Sequence, residues 1–222
     1  MSAFLNNLFL GYFPYMATAV MIAGLIYRRA VSDRTIEAPS TQFLGEDGPL
    51  MKSSILFHYA ILLVLAGHIF GLLTPPALYR WIMTDDTKRW LAVVLGSLSG
   101  LAALLGITLL FIRRLRNPRV RANSSFQDYF IPVWLIVQIV LGLLGTYHTA
   151  HALLANYMAL DEWAQGLVCF QPDAWKYIAP TNIVYKLHIV NGFLIFIFFP
   201  YTKLIHIIVA PIRYFFKSND RY

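Results

Sequence analysis

The stretch Tyr185-Lys-Leu-His188-Ile-Val-Asn-Gly-Phe-Leu-Ile-Phe-Ile-Phe-Phe-Pro200-Tyr-Thr-Lys203-Leu-Ile-His206 is apolar enough to cross a bilayer, yet it holds two histidines. They stand eighteen residues apart. At about 100° per residue, eighteen steps close five turns, so a continuous helix sets His188 and His206 on one face. A rise of about 1.5 Å per residue separates them by roughly 27 Å, close to the thickness of the hydrocarbon core. An imidazole is costly in lipid, and an ionisable group inside a span marks a functional path through a helix bundle.

Working outward, 58% of the 222 residues are apolar, 15% aromatic and only 13% charged, which is the composition of a membrane protein. Five windows are long enough to span, at about 8–27, 53–73, 90–112, 129–153 and 183–209. The connections left over are too short for a separate soluble domain. The reading is therefore an all-α membrane protein of one domain, five transmembrane helices packed as a bundle. The single cysteine, Cys169, excludes a disulfide, an iron–sulfur cluster or a thiolate zinc site built within this chain. A net charge of +7 suggests nucleic acid in a soluble protein. Here the basic residues lie between spans, so no nucleic-acid partner is expected and their distribution is topological.

No Lys or Arg precedes the first apolar run, and Arg28 and Arg29 follow it, the reverse of a secretory signal, so that run reads as a retained helix. One side of the membrane collects Arg28, Arg29, Arg34 and Lys52, then Arg113, Arg114, Arg116, Arg119 and Arg121, then Arg213, Lys217 and Arg221. The other has Arg80, Lys88, Arg89 and Lys176, with Lys186 at the mouth of span five. The positive-inside rule puts the N-terminus outside and the C-terminus in the cytoplasm.

Span two carries Phe57-His58 and Gly67-His68-Ile-Phe-Gly71, with the histidines about 15 Å apart along the axis. Because spans two and five run in opposite directions, His68 is paired in depth with His188 near the outer face, and His58 with His206 near the inner face. Two histidines at each of two depths suit two stacked haems with bis-histidine ligation, b-type because Cys-x-x-Cys-His is absent. The unequal spacing, about 15 Å against about 27 Å, requires helix tilt and a bend at Phe199-Pro200. The rival reading has each histidine bonding a neighbouring helix; four at matched depths weigh against it. Metal without porphyrin is disfavoured by the distance between depths and the lack of a nearby carboxylate in the spans.

Lys186, Lys203, Arg113 and Arg114 are candidates to neutralise haem propionates, beside the plainer reading of cations reaching the interface. Gly67 permits close approach to His68. Lys88 is read in the outer loop Thr74–Arg89, either hydrogen-bonding a quinone carbonyl or pairing with Asp85 or Asp86. The segment Leu160–Phe170 is read as a short amphipathic helix on the membrane surface. His148 and His151, at the outer end of span four, are read as hydrated boundary residues.

Taken together, Phe57-His58 spaced to Gly67-His68-Ile-Phe-Gly-Leu-Leu-Thr-Pro75, Arg113-Arg114-Leu-x-x-Pro118-Arg119-Val-Arg-Ala122, and Lys186-Leu-His188 spaced to Phe199-Pro-x-x-Lys203-Leu-Ile-His206 carry a resemblance. The chain resembles, nearly end to end, the gamma subunit, cytochrome b, of bacterial respiratory nitrate reductase. The resemblance implies an outer haem b on His68 and His188, an inner haem b on His58 and His206, and quinol oxidation beside the outer haem, involving Lys88 and Gly67. It implies menaquinol or ubiquinol as donor, a multi-pass place in the bacterial inner (cytoplasmic) membrane, and two partners: a cytoplasmic iron–sulfur beta subunit and a molybdenum-containing catalytic alpha subunit. The chain would be the quinol-oxidising subunit of a nitrate-assimilating or respiring complex, with nitrate reduced elsewhere. Lysine stands at 186 and 203 where relatives are expected to carry arginine, and His148 and His151 fall outside the pattern. The rivals are a related haem b subunit of a sulfur-metabolising reductase and a non-redox membrane anchor; a transporter is a third, without evident inverted repeats.

Overall fold

In the computed structural model, which describes residues 2–32 and 47–207, every regular element is helical. Arg34, Arg213, Lys217, Arg221 and the expected end of span five at 208–209 lie outside those residues. Among the described residues five helices are long and apolar enough to cross a membrane: Ala3–Arg28, Leu50–Leu73, Asp85–Arg116, Phe126–His151 and Ile183–Tyr201.

Ser2 caps α1 (Ala3–Asn7) through its side chain, and a π-helical turn over Leu8–Tyr12 continues into α2 (Phe13–Ser32). α3 (Asp47–Leu73) stops before Pro75, whose fixed φ and missing N–H cannot continue it, and α4 (Pro76–Tyr79) follows. α5 (Asp85–Arg116) is capped by Thr84, with Asp85 and Asp86 in its first turn and Arg113, Arg114 and Arg116 in its last, charges placed to suit the helix dipole. The helix thus starts earlier than hydropathy indicates. Lys88, expected in a loop, belongs to its first turns, because the Thr84-Asp-Asp capping signal extends the helix beyond the apolar run.

After α6 (Pro118–Ala122), α7 (Phe126–His151) opens on a reciprocal capping box between Ser125 and Asp128. Three further helices follow: α8 (Leu154–Val168), α9 (Trp175–Ile178) and α10 (Ile183–Phe198). The segment expected to lie on the surface is instead packed into the bundle within α8, with Asp161, Trp163, Ala164, Gly166 and Leu167 buried. Its polar groups bond the backbones of other helices: Trp163 Nε1 donates to the Leu10 carbonyl within the π-helical turn (2.9 Å) and Gln165 Nε2 to that of Leu72 at the end of α3 (3.1 Å). Tyr15 donates its hydroxyl to the Leu167 carbonyl at 2.8 Å.

α3 packs on α5, α5 on α7, α7 on α10 and α10 on α2, while α8 lies across α3 and α5. One end of the bundle is therefore capped by α4, α8 and α9; the other carries Arg113, Arg114 and Lys203. A cluster of Ala60, Ala103, Ile107 and Ile139 fills the middle. Small residues let the backbones approach there: a Cβ on Gly106 would stand 2.7 Å from the Phe57 nitrogen.

The fifth span departs most from its expected form. α10 ends at Phe198 and gives way to a 3₁₀ turn over Phe199–Tyr201, an extended Thr202 and a second 3₁₀ turn over Lys203–Ile205. His188 and His206 therefore do not share a face of one helix, and the rise of eighteen helical residues is not realised. Pro200 is fully buried at the break. α2 holds it: a Cβ on Gly24 would meet Pro200 Cγ at 2.8 Å, and Arg28 donates to the Pro200 carbonyl at 3.4 Å.

Candidate functional site

The geometry at the two depths is set by α3 on one side and by α10 with its broken end on the other. His68 and His188 face each other near the capped end, their ring centroids 5.9 Å apart and their planes inclined by 25°. His58 and His206 do so near the basic end, at 6.1 Å and 68°. In every case Nδ1 lies beside a backbone carbonyl, an obligate acceptor: Ser54 for His58 and Val64 for His68 (2.7 Å each), Gln138 for His188 (3.2 Å) and Lys203 for His206 (2.5 Å). The proton is thereby held on Nδ1, which puts the ring's lone pair on Nε2 in each case.

This arrangement fits a haem between each pair. A metal–imidazole bond of about 2.0 Å on each side, with roughly 1 Å from each nitrogen to its ring centre, sets two axial rings about 6 Å apart. Among the described residues no three His, Cys, Asp or Glu side chains converge, so each depth offers two imidazoles and no third donor of these kinds beside them. α3 also offers the room: a Cβ on Gly67 or Gly71 would meet nothing within 4 Å.

His188 is held by more than its own carbonyl bond. Gln138 Nε2 donates to the His188 carbonyl at 3.1 Å and stands 3.5 Å from His188 Nε2. Gln138 Oε1 accepts from Asn191 Nδ2 (2.7 Å), and Asn191 Oδ1 accepts from Trp134 Nε1 (2.8 Å). The polar ladder Trp134–Asn191–Gln138 runs from α7 to α10 within the membrane and orients the ring. Gly142 completes the seat, since a Cβ there would stand 3.0 Å from His188 Cε1. Sequence reasoning missed these residues, although an Asn and a Gln within apolar spans are the signal that finds them.

The expected propionate cations divide by end. At the basic end Lys203 reaches both carboxylate oxygens of Asp128 at 2.7 Å, and Arg114 lies 3.7 Å from the same carboxylate and donates to Ser124 at 2.6 Å. Arg113 stands beside Arg114 in the last turn of α5, with interactions of its own. At the capped end Lys186 is buried and donates to the Ala179 carbonyl at 2.6 Å, closing the end of α9.

Lys88 pairs with neither Asp85 nor Asp86. Its Nζ lies 2.6 Å from Asp161 Oδ2, buried between helices, with the Tyr79 ring 4.4 Å away. Asp85 serves Tyr79 (2.8 Å) and Arg80 (3.0 and 2.9 Å), and Asp86 serves Arg89 (2.7 Å). Burial holds the Tyr79 hydroxyl up at about 12, so it remains a donor. His148 and His151 line a cleft of about 150 Å³ with Asn156, Asn182 and Tyr185 at the C-terminal end of α7, apart from both histidine pairs.

Five membrane-spanning helices that set two histidine pairs face to face at two depths define the class of the membrane cytochromes b. The family described as the nitrate reductase gamma subunit matches residues 6–222. The chain belongs to that family. It is 37% identical over 212 residues to the respiratory nitrate reductase 1 gamma chain of Escherichia coli (strain K12), covering 95% of this chain and 94% of that one. It is likewise 37% identical over 216 residues to the respiratory nitrate reductase 2 gamma chain of the same strain, covering 97% and 95%. To the nitrate reductase gamma chain of Bacillus subtilis (strain 168) it is 30% identical over 210 residues, covering 94% and 93%.

Proposed function

We propose that this gamma subunit oxidises membrane quinol at its capped end, which faces outward, and delivers the electrons inward to an iron–sulfur beta subunit serving a molybdenum-containing alpha subunit. The observation that carries the reading is the pair of facing imidazole sets, 5.9 and 6.1 Å between centroids, each ring with Nδ1 tied to a carbonyl. His68 and His188 hold the outer haem b, and His58 and His206 the inner one. When bound, the two haems supply one-electron carriers at two depths, suited to a two-electron donor such as menaquinol or ubiquinol.

The residues of the chain bind and orient. Gln138 and Asn191 fix the His188 ring, and the break after α10 brings His206 to the depth of His58. Lys88 presents its ammonium to a quinol oxygen beside Gly67, where the absence of a side chain admits the ring. Lys203, Arg113 and Arg114 supply positive charge for the inner propionates, with Asp128 dividing their field; Lys186 is assigned to the outer propionates, exchanging its carbonyl partner for a carboxylate. The N-terminus lies outside and the C-terminus in the cytoplasm of a bacterial inner membrane, so the basic inner surface receives the partner subunits.

The test is a reduced-minus-oxidised spectrum of the purified subunit or complex, with a pyridine haemochrome count and reduction by added quinol. Two b-type haems per chain, reducible by quinol, are expected. One haem or none overturns the dihaem assignment; two haems inert to quinol overturn the donor.

A further inference from the structure

The ion pair of Lys88 and Asp161 is buried on both sides, with 8% and 2% of the side chains exposed, and it is incomplete. Asp161 Oδ1 is buried without a hydrogen-bond partner, and so is the hydroxyl of Tyr157, one turn earlier on α8. Buried carboxylates are ordinarily saturated with donors, and an oxygen left bare costs about 1–3 kcal/mol. A bare oxygen on a carboxylate already holding an ammonium at 2.6 Å is a place for a proton.

The surroundings are built rather than incidental. The rings of Tyr79 and Tyr157 stand 4.4 and 5.8 Å from Lys88 Nζ. Tyr79 is itself tied to Asp85, which Arg80 clamps with two bonds. One turn beyond Asp161, Gln165 donates to the carbonyls of Leu72 and Thr74 at 3.1 and 3.3 Å, and Leu72 lies one turn past His68. The pair is thus moored to the end of α3 that carries the outer histidine.

We propose that Asp161, acting through Lys88, accepts the proton released by quinol, an inference that rests on the assignment of Lys88 to the quinol site. Asp161 does not touch the quinol; it positions the ammonium and stores the proton. As Lys88 passes one N–H proton to the Asp161 carboxylate, it takes up the hydroxyl proton of the quinol and remains an ammonium. For each electron given up, one quinol O–H bond breaks and one Asp161 carboxyl O–H bond forms, the oxidant being the b-type haem that His68 and His188 would hold. Asp161 then releases the proton to the outer aqueous face, and the second quinol proton follows the same route.

The charged and titratable groups that act on Asp161 are Lys88 and Asp85 of α5, Tyr79 of α4, and Tyr157 and Glu162 of α8. Arg80 is taken up by Asp85, and Asp86 and Arg89 pair with each other; of the other helices packed on α8, α3 carries His68 one turn before Leu72 and α9 carries Lys176, paired with Asp173 at 2.9 Å. Burial, with Asp85 and Glu162 adding to it, outweighs Lys88 and lifts the carboxyl to about 6, where it exchanges protons near neutral pH.

The test compares wild type, D161N, D161E and Lys88→Ala in the assembled complex. It measures haem reduction by a short-chain quinol across pH, affinity for a quinone-analogue inhibitor, and haem content. D161N is expected to keep both haems and its inhibitor affinity, yet to reduce its haem about tenfold or more slowly and to lose the fall in rate seen in wild type below about pH 6. D161E restores both. A wild-type rate and profile in D161N overturn the inference alone, as does a slow rate accompanied by loss of inhibitor binding, which makes Asp161 a mere brace for Lys88. Absence of quinol-driven reduction in wild type, or unchanged inhibitor affinity in Lys88→Ala, sinks the quinol assignment itself. If D161N loses haem, redox-difference infrared spectra of wild type decide: a carboxylic C=O band on quinol reduction that shifts in D161E supports the relay, and its absence overturns it.

Discussion

Gly142→Ala tests the seat proposed for the outer haem. The added Cβ would stand 3.0 Å from His188 Cε1 and 3.5 Å from Nδ1, so an ordinary contact of 3.4 Å requires the ring to retreat by about 0.4 Å. The ring has little room to do so. Its Nδ1 bond to the Gln138 carbonyl is already 3.2 Å, and Gln138 and Asn191 brace the neighbouring backbone. Against this strain, of about 1–3 kcal/mol, alanine in place of a mid-helix glycine returns about 1 kcal/mol of helix propensity. The fold therefore survives while the imidazole shifts. In purified protein, redox titration of the b-type bands should show one component displaced in midpoint potential or lost, with the other unchanged. Gly96→Ala, whose Cβ would come no nearer than 3.8 Å to Thr146, is the control for added bulk and helix propensity within a span and should leave His188 alone. Two unshifted components in Gly142→Ala refute the placement of His188 as an axial ligand against α7.

Gly106→Ala drives a methyl to 2.7 Å from the backbone nitrogen of Phe57, which cannot rotate away; α3 must part from α5, and a thermal melt in detergent should fall with a loss of about 1–3 kcal/mol, inner haem first. Asn191→Ala strips partners from Trp134 Nε1 and Gln138 Oε1, and unfolding titrations should show a loss of about 1–3 kcal/mol together with a changed outer-haem potential. The Asp161 carboxyl is raised on folding from 3.8 to about 6, so the folded state takes up a proton between those values. Stability is greatest below about pH 4 from this group and declines as pH rises through 6; the melting temperature should follow that slope in wild type and lose it in D161N. Pro200→Ala restores an N–H at the break, and helix extension past Phe198 should carry His206 away from His58, seen as loss of one haem with the outer signal retained.

The five long apolar helices and the pairing of the histidines, His68 with His188 and His58 with His206, were legible because both follow from local pattern: apolar length and direction of travel. The features that escaped pattern are those fixed by other segments. Lys88 reads as a loop residue by hydropathy, yet Thr84, Asp85 and Asp86 start the helix ahead of it, and its partner, Asp161, lies 73 residues away. α8 reads as a surface helix because Asp161, Glu162 and Gln165 are polar; Asp161 and Gln165 find their partners in Lys88 and in the carbonyls at the end of α3, which lie far away in sequence. Gln138 and Asn191 carried a signal in their position inside apolar runs, but which carbonyl or ring each would serve depended on how α7 meets α10.

The broken end of span five resolves the spacing that periodicity alone made awkward. His58 and His68 are ten residues apart on an unbroken helix, about 15 Å of rise. From His188 the helix α10 also runs ten residues, to Phe198, and so covers the same depth before it ends. The remaining eight residues to His206 do not advance as α-helix; they pass through two 3₁₀ turns and an extended Thr202. Equal depths on the two sides thus come from ending one helix, not from tilting it or bending it gently. Tilt alone would have to shorten about 27 Å to about 15 Å, an inclination far beyond the usual 20° or so of membrane helices. Pro200 makes the ending obligatory by withholding an N–H, and Gly24 lets α2 press directly on it, so the residue that stops the helix is also fully buried against its neighbour.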